Sequence, residues 1–555
     1  MKLSLSLATA FLQGAASSNL NFNLQNALQS VLASPHSSSS SASPPNILLV
    51  ITDDQDLQLD SIDYTPHITR HIRDQGTFYR NHFVTTALCC PSRVSLWTGR
   101  QAHNTNADIP SLSTGASTTT SSPSGCNKPV MTPTTPANSS MHTQSTITIA
   151  LTSMVSMVPT SSSTPTPTPT STPPISATKI PPVSYEGYHT TDVITKKALG
   201  FLDDALEGER PFFLTVAPVA PHSDVNPGRA LAGEIPIMTA PIPLERHEHL
   251  FKNVKVPRNK NFNPDEPSGV SWVRDLPKQN QTVVDYNDHF YRSRLRALQG
   301  VDELVDALVS RVEQSEKLDN TYIIYTSDNG FHIGQHRLPP GKTCGFEEDI
   351  RVPLFIRGPG IAEGGVEDSV TTHIDLAPTI FELAGIPARE DFDGTAIPVT
   401  EGFSGTRHEH VTVEYWGRAV VEGDYSAIGP DGLPQFPNNT YKSVRLLGEG
   451  YNFYYSVWCN NEHELYDLST DPYQLHNLYP KTTSKATEEP QILGRSLSQV
   501  ISRLDALLLV LKSCQGVTCI KPWNVLQPDG SVSNLREALD EGFDAFYGGA
   551  ARCIF

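Results

Sequence analysis

The chain has 555 residues, with 41 Lys and Arg against 59 Asp and Glu, for a formal net charge of −18. That balance excludes a polybasic nucleic-acid or membrane-surface binder, and the length suits one large α/β domain with a smaller partner. Eight cysteines, at 89, 90, 126, 344, 459, 514, 519 and 553, do not fix a disulfide scheme by themselves.

In chain order, residues 1–18 have a lysine, a short apolar stretch and then small residues, the pattern of a secretory signal peptide. Residues 19–43 form a Ser-rich lead-in. The larger domain is predicted over 44–400, opening on "NILLVI" (46–51), a continuous apolar run that reads as a strand buried on both faces. "ALCCPSRVSLWTGR" (87–100) follows; Pro91 suits the first position of a helix and Gly99 its stop. Cys89 and Cys90 are then expected at a helix N-terminus, where the dipole favours anions and lowers a thiol pKa. Arg93 adds a fixed positive charge one turn in.

Residues 107–180 interrupt this domain. Between 111 and 180, 44 of 70 residues are Ser, Thr or Pro and none is acidic, so the segment reads as low-complexity. Two more buried-strand runs, "PFFLTVAPVAPH" (211–222) and "TYIIYTSDNG" (321–330), flank a helix predicted from apolar residues at steps of three and four from Tyr291 to Val312. A helix leading into a buried strand argues for a parallel sheet covered by helices. From 401 to 555 the texture changes to alternating aromatic runs, "HVTVEYWG" and "YNFYYSVW". These read as a smaller antiparallel sheet with a cysteine-containing tail. No segment is long and apolar enough for a bilayer span. Sequons start at Asn138, Asn280 and Asn438.

Ligands of open α/β sheets bind beyond the carboxyl ends of the strands. The first strand ends in Asp53-Asp54, the third in Asp328-Asn329, and the second runs into His222. Three carboxylates and an amide make an all-oxygen set suited to calcium or magnesium, although Asp and Asn also cap turns after strands. Lys342, on a loop after the third strand, could meet an anion. His332 and His336 are assigned to a loop, and His408 and His410 to the surface beside a strand.

These residues together resemble the sulfatase family. "CCPSRVSLWTGR" is similar to the signature in which a cysteine before x-P-S-R is oxidised to formylglycine (3-oxoalanine), which here designates Cys89. "PNILLVITDDQD", "YTSDNGFHIGQHRLPPGKTCGFEEDIRVPLFIRGPG", "HIDLAPTIFELAG" and "ELYDLSTDPYQLHNL" resemble the family in the right order. "VPRNKNFNPDEPSGVSWVRDLPKQNQTVVDYNDHFYRSRLRALQGVDELV" is similar to the fungal arylsulfatase and glucosamine-6-sulfatase group. The resemblance covers 44–106 and most of 181–555. It implies an alkaline-phosphatase-like α/β fold, a mixed, largely parallel sheet sandwiched by helices, with a smaller C-terminal α+β domain. It also implies a calcium ion held by Asp53, Asp54, Asp328 and Asn329 with residue 89 beside it. An amide at 329 favours calcium over the zinc or manganese of related phosphodiesterases.

The implied activity is hydrolysis of sulfate esters, aryl sulfates or sulfated glycans, by a secreted or cell-surface glycoprotein. A formylglycine-generating enzyme would be its partner during secretion. The hydrated aldehyde at 89 would attack sulfur, Arg93 and Lys342 would offset charge on the sulfate, and His222 would protonate the leaving group. One departure stands out: the family's G-K motif after the signature is missing, and the low-complexity segment takes its place. A frame or splice change, or a genuine replacement, would each produce that. A formylglycine phosphodiesterase or phosphonate hydrolase, and a non-catalytic secreted protein, are the alternative readings.

Overall fold

The computed structural model describes residues 44–105, 185, 187–226, 237–400, 408–429, 432, 434–480 and 489–550. The expected signal peptide, Ser-rich lead-in and 107–180 insert therefore lie outside the described residues, as do Cys126 and Cys553.

The larger sheet contains β1 (Asn46–Thr52), β2 (Thr77–Tyr79), β3 (Phe213–Val216), β4 (Thr321–Ser327), β5 (Leu354–Arg357) and β6 (Gly365–Glu367), in the order β3-β1-β4-β5-β2-β6. β1 runs parallel to both β3 and β4, whereas β5 is antiparallel to β4 and to β2. The sheet is thus mixed. Alternation along β1 explains its continuous apolar sequence. Leu48 and Val50 face a core with Val193, Ile194 and Leu202 of α2 (Thr190–Glu207) and with Leu304, Val305 and Leu308 of α3 (Gln281–Gln314). Ile47, Leu49 and Ile51 face the opposite core, with Leu96 of α1 (Cys89–Thr98) and Leu376 and Leu383 of α4 (His373–Leu383). A strand covered on both faces has no polar positions to alternate with.

α3 begins ten residues before the first of its predicted apolar positions. Residues 281–286 are exposed or half-buried and so lie off the apolar stripe, and the start is set by Asn280, whose side chain accepts from Val283 N at 3.1 Å. The second sheet is a four-stranded antiparallel meander of β7 (His410–Tyr415), β8 (Tyr441–Gly448), β9 (Tyr451–Trp458) and β10 (His463–Asp467). Val444, Leu446, Phe453 and Tyr455 bury one face against Leu504, Leu507 and Leu508 of α5 (Leu497–Leu511). Val413, Tyr415, Tyr441 and Tyr454 pack the other face onto Phe83, Trp272 and Phe346. Because β7 is inside this packing, His410 is 5 % exposed and its Nε2 lies 2.8 Å from Cys519 O; the surface assignment for His410 is corrected. A disulfide links Cys514 and Cys519.

Candidate active site

Register builds the site. Thr52 at the end of β1 pairs with Ser327 at the end of β4, so the two residues after each strand emerge at one level of the sheet. Asp53-Asp54 and Asp328-Asn329 therefore meet at the carboxyl edge. Asp54 has φ +68°, a conformation rare for a residue with a side chain. It lets Asp54 N donate to Asp328 Oδ1 at 2.9 Å, while its carbonyl accepts from Arg294 at 2.5 Å. Gly330 completes the turn after β4, because a Cβ there would meet Glu348 O at 2.0 Å. On the other flank of β1, β3 leads through Pro221 to His222.

α1 brings the signature to this edge. It starts at Cys89 with Leu88 as N-cap, so Pro91 occupies its third position, not its first, and Gly99 ends it at φ +64°. The expected helix start is corrected by two residues. Ser92 Oγ donates to Asp328 O at 2.5 Å and lies 2.9 Å from His373 Nδ1, tying α1 to the end of β4 and to α4. Arg93 Nε donates to Asp328 Oδ2 at 2.8 Å and a terminal nitrogen to Asp53 Oδ2 at 2.9 Å. The guanidinium is thus committed to two carboxylates, which it aligns.

Cys89 Sγ sits at the focus, 3.3 Å from Asp53 Oδ1, 3.7 Å from Asp54 Oδ1 and 3.0 Å from Lys342 Nζ. Lys342 also bonds Asp54, and His222 Nε2 lies 3.7 Å from Asp54 Oδ2. All eight residues singled out from the sequence, Asp53, Asp54, Cys89, Arg93, His222, Asp328, Asn329 and Lys342, thus share one site.

Burial governs the charges. It pushes the Asp53 carboxyl up to about 6, helped by Asp328. Burial opposes ionisation of Asp54 too, yet Lys342 and His222 overcome it and hold that carboxyl below its usual value. Cys89 is pushed well up by burial and by Asp53. That corrects the expectation of an acidified thiol: the helix N-terminus is outweighed by desolvation and three nearby carboxylates. A thiol held protonated is a poor nucleophile.

The donor set fits a hard divalent cation. Asp54 Oδ2 and Asn329 Oδ1 are buried oxygens without a hydrogen-bond partner, and one ligand atom each from Asp53, Asp54, Cys89 and Asp328 lies within 4.8 Å of the others. Unpartnered buried acceptors are costly, and oxygen ligands suit calcium or magnesium.

Sequence reasoning missed Arg294, Ser223, Glu422 and His373. Arg294 is 1 % exposed and joins Asp54 O to Asp56; on a helix face only its burial distinguishes it from a solvated arginine.

The family model described as Sulfatase matches residues 45–386. Sulfatase ppz1 of Metarhizium majus is 42% identical over 364 residues, covering 65% of this chain and 75% of that protein. An arylsulfatase of Volvox carteri is 33% identical over 549 residues, covering 91% and 80%. N-acetylglucosamine-6-sulfatase of Capra hircus is 31% identical over 513 residues, covering 86% and 85%. A solved structure described in complex with its substrate, D-glucosamine-2-N,6-O-disulfate, matches in fold with a TM-score of 0.55 at 20% identity, covering 79% of this chain and 94% of its own.

Proposed function

The chain belongs to the sulfatase family of sulfuric ester hydrolases, and we propose that it is a secreted, calcium-dependent formylglycine enzyme acting on aryl sulfates or on sulfate esters of amino sugars. The observation that carries this reading is the convergence on Cys89 Sγ of Lys342 Nζ at 3.0 Å and Asp53 Oδ1 at 3.3 Å. Sγ stands where the side-chain oxygen of an oxidised residue 89 would sit.

Formylglycine made from Cys89 by a generating enzyme of the secretory pathway would supply an aldehyde hydrate as nucleophile. Asp53, Asp54, Asp328 and Asn329 would hold calcium, which supplies Lewis-acid charge beside it. The chain's own residues do the remaining work. Arg93 holds Asp53 and Asp328 in one orientation, while Lys342 presents an ammonium to the sulfate oxygens in a buried, weakly screened setting. His222 passes the Nε2 proton to the ester oxygen as the S–O bond breaks, which matters most for a sugar alcohol. The relatives named as arylsulfatase and N-acetylglucosamine-6-sulfatase support the two substrate classes. Secretion is supported by the signal-like N-terminus and by the sequons at Asn280 and Asn438, both exposed.

Assay of protein from a secretory host, with calcium, on 4-nitrophenyl sulfate and N-acetylglucosamine 6-sulfate tests this. Release of sulfate from either supports the reading. Calcium binding without turnover would instead favour a non-catalytic protein, the second reading motivated by the missing G-K motif between 107 and 180.

A further inference from the structure

Glu422 is a carboxylate buried to 2 % exposure that the reaction outlined above does not use. Its backbone is tied down on both sides. Glu422 N donates to Pro340 O at 2.7 Å, its neighbour Val421 bridges Gly341, and Gly423 N donates to Met238 O at 2.8 Å. The first two ties join it to the loop that carries Lys342. The third joins it to the strand Ile237–Thr239, which pairs with Asp224–Asn226 directly after Ser223. So fixed, Glu422 accepts a hydrogen bond from Ser223 Oγ, and Ser223 is itself fully buried.

Ser223 is the residue that orients His222. Its carbonyl lies 2.8 Å from His222 Nδ1, and a carbonyl only accepts, so Nδ1 carries a proton. Nε2 is then the atom turned to the site, 3.7 Å from Asp54 Oδ2; it donates as the second N–H of the imidazolium, which the Asp54 carboxylate favours, and the ring is left neutral with its proton on Nδ1. With its side chain held by Glu422 and its carbonyl by the imidazole, Ser223 cannot rotate without breaking one bond or the other. Burying a carboxylate is unfavourable unless it is hydrogen-bonded. An apolar side chain would fill this place at lower cost if packing were its only task.

We propose that Glu422 is a positioning residue for His222, acting through Ser223 to hold the imidazole where Nε2 meets the leaving oxygen of the sulfate ester. The inference rests on the sulfatase reading above, with His222 as the proton donor. It makes the Glu422–Ser223 pair selective for substrates whose leaving group needs a proton. A 4-nitrophenolate departs readily as an anion, whereas the 6-oxygen of a sugar would depart as an alkoxide.

The experiment compares kcat on 4-nitrophenyl sulfate and N-acetylglucosamine 6-sulfate for wild type, H222A, E422A, E422Q and S223A. H222A sets the ceiling, since a general acid contributes about 10²–10⁴-fold. E422A and S223A are expected to lose about tenfold more kcat on the sugar sulfate than on the aryl sulfate, a fraction of that ceiling. E422Q, which keeps an acceptor for Ser223 Oγ, is expected to recover most of the difference. Equal losses on both substrates, or none, in E422A and S223A overturn the proposal while leaving the sulfatase reading intact. S223A removes only one oxygen and so decides the matter if E422A does not fold. Absence of leaving-group discrimination in H222A itself overturns the assignment of His222, and the positioning role with it.

Discussion

Lys342 Nζ lies 3.0 Å from Cys89 Sγ and bonds the carboxylate of Asp54, so one ammonium touches both the residue proposed for modification and a candidate calcium ligand. Truncating it removes a charged contact from a site where Lys342 itself is 5 % exposed. Lys342→Ala is expected to lower kcat by about 10²–10³-fold, the range for deleting one preorganised electrostatic donor. Steady-state kinetics on 4-nitrophenyl sulfate measures it, and a change confined to KM would assign Lys342 to binding alone.

The tryptic peptide 81–93, analysed after reduction, reports the state of residue 89. Protein from a secretory host is expected to show the aldehyde at 89 and an intact cysteine at 90. Cys89→Ala is expected to abolish turnover while leaving the thermal midpoint within a degree or two. An unmodified Cys89 in active protein would remove the mechanism.

Chelation tests the oxygen cluster. Stripping calcium is expected to remove activity and to lower the midpoint by several degrees, because a ligand present at about 100 times Kd stabilises by about 2.7 kcal/mol. Asn329→Ala, which deletes one of the two unpartnered oxygens, is expected to weaken calcium binding in calorimetry. Equal affinity in wild type and variant would place the ion elsewhere.

Acid should destabilise the fold through histidines buried as neutral rings. Burial holds His336 and His410 down to about 3, while an unfolded histidine titrates near 6.5. Below pH 6.5 the unfolded chain takes up protons that the folded chain refuses. Each ring therefore removes about 1.4 kcal/mol of stability per pH unit as pH falls from 6.5 towards 3. His410→Gln is expected to flatten the dependence of unfolding free energy on pH by that slope. Denaturant titrations at pH 5 and pH 6 read the difference, and parallel curves would contradict it.

Gly330→Ala places a Cβ 2.0 Å from Glu348 O and so must displace backbone beside Asn329. A loss of about 1–3 kcal/mol is expected for such overpacking, with reduced calcium affinity, both seen in calcium-dependent melting. A midpoint equal to wild type would show that the turn can relax.

Much of the site was legible because it hangs on strand ends. A run such as "NILLVI" declares a two-face strand, and the polar pair after it has to emerge at the edge of the sheet. The pairing of Thr52 with Ser327 brought Asp53-Asp54 and Asp328-Asn329 together, which no local pattern encodes. Helix ends were less legible: α1 begins on Cys89 with no capping side chain, so Pro91 misplaced its start by two residues. Glu422 and Ser223 were invisible because their bond joins residues 199 apart. His410 was misassigned because strand burial on two faces depends on α5 and on the 514–519 loop, which follow it by about a hundred residues.

The central place of β1 also sets a clock. It lies between β3 and β4, so the edge that encloses Cys89 cannot close until residue 327 has been synthesised. Roughly 240 residues separate position 89 from that point, which at 5–20 residues per second takes about 10–50 seconds. Throughout that interval the sheet edge around the signature is incomplete, which would leave the sulfur open to the generating enzyme proposed above. Afterwards Asp53, Asp54 and Lys342 surround it. The order of strands in the sheet would thereby give the proposed modification of residue 89 a beginning and a deadline, measured in chain length.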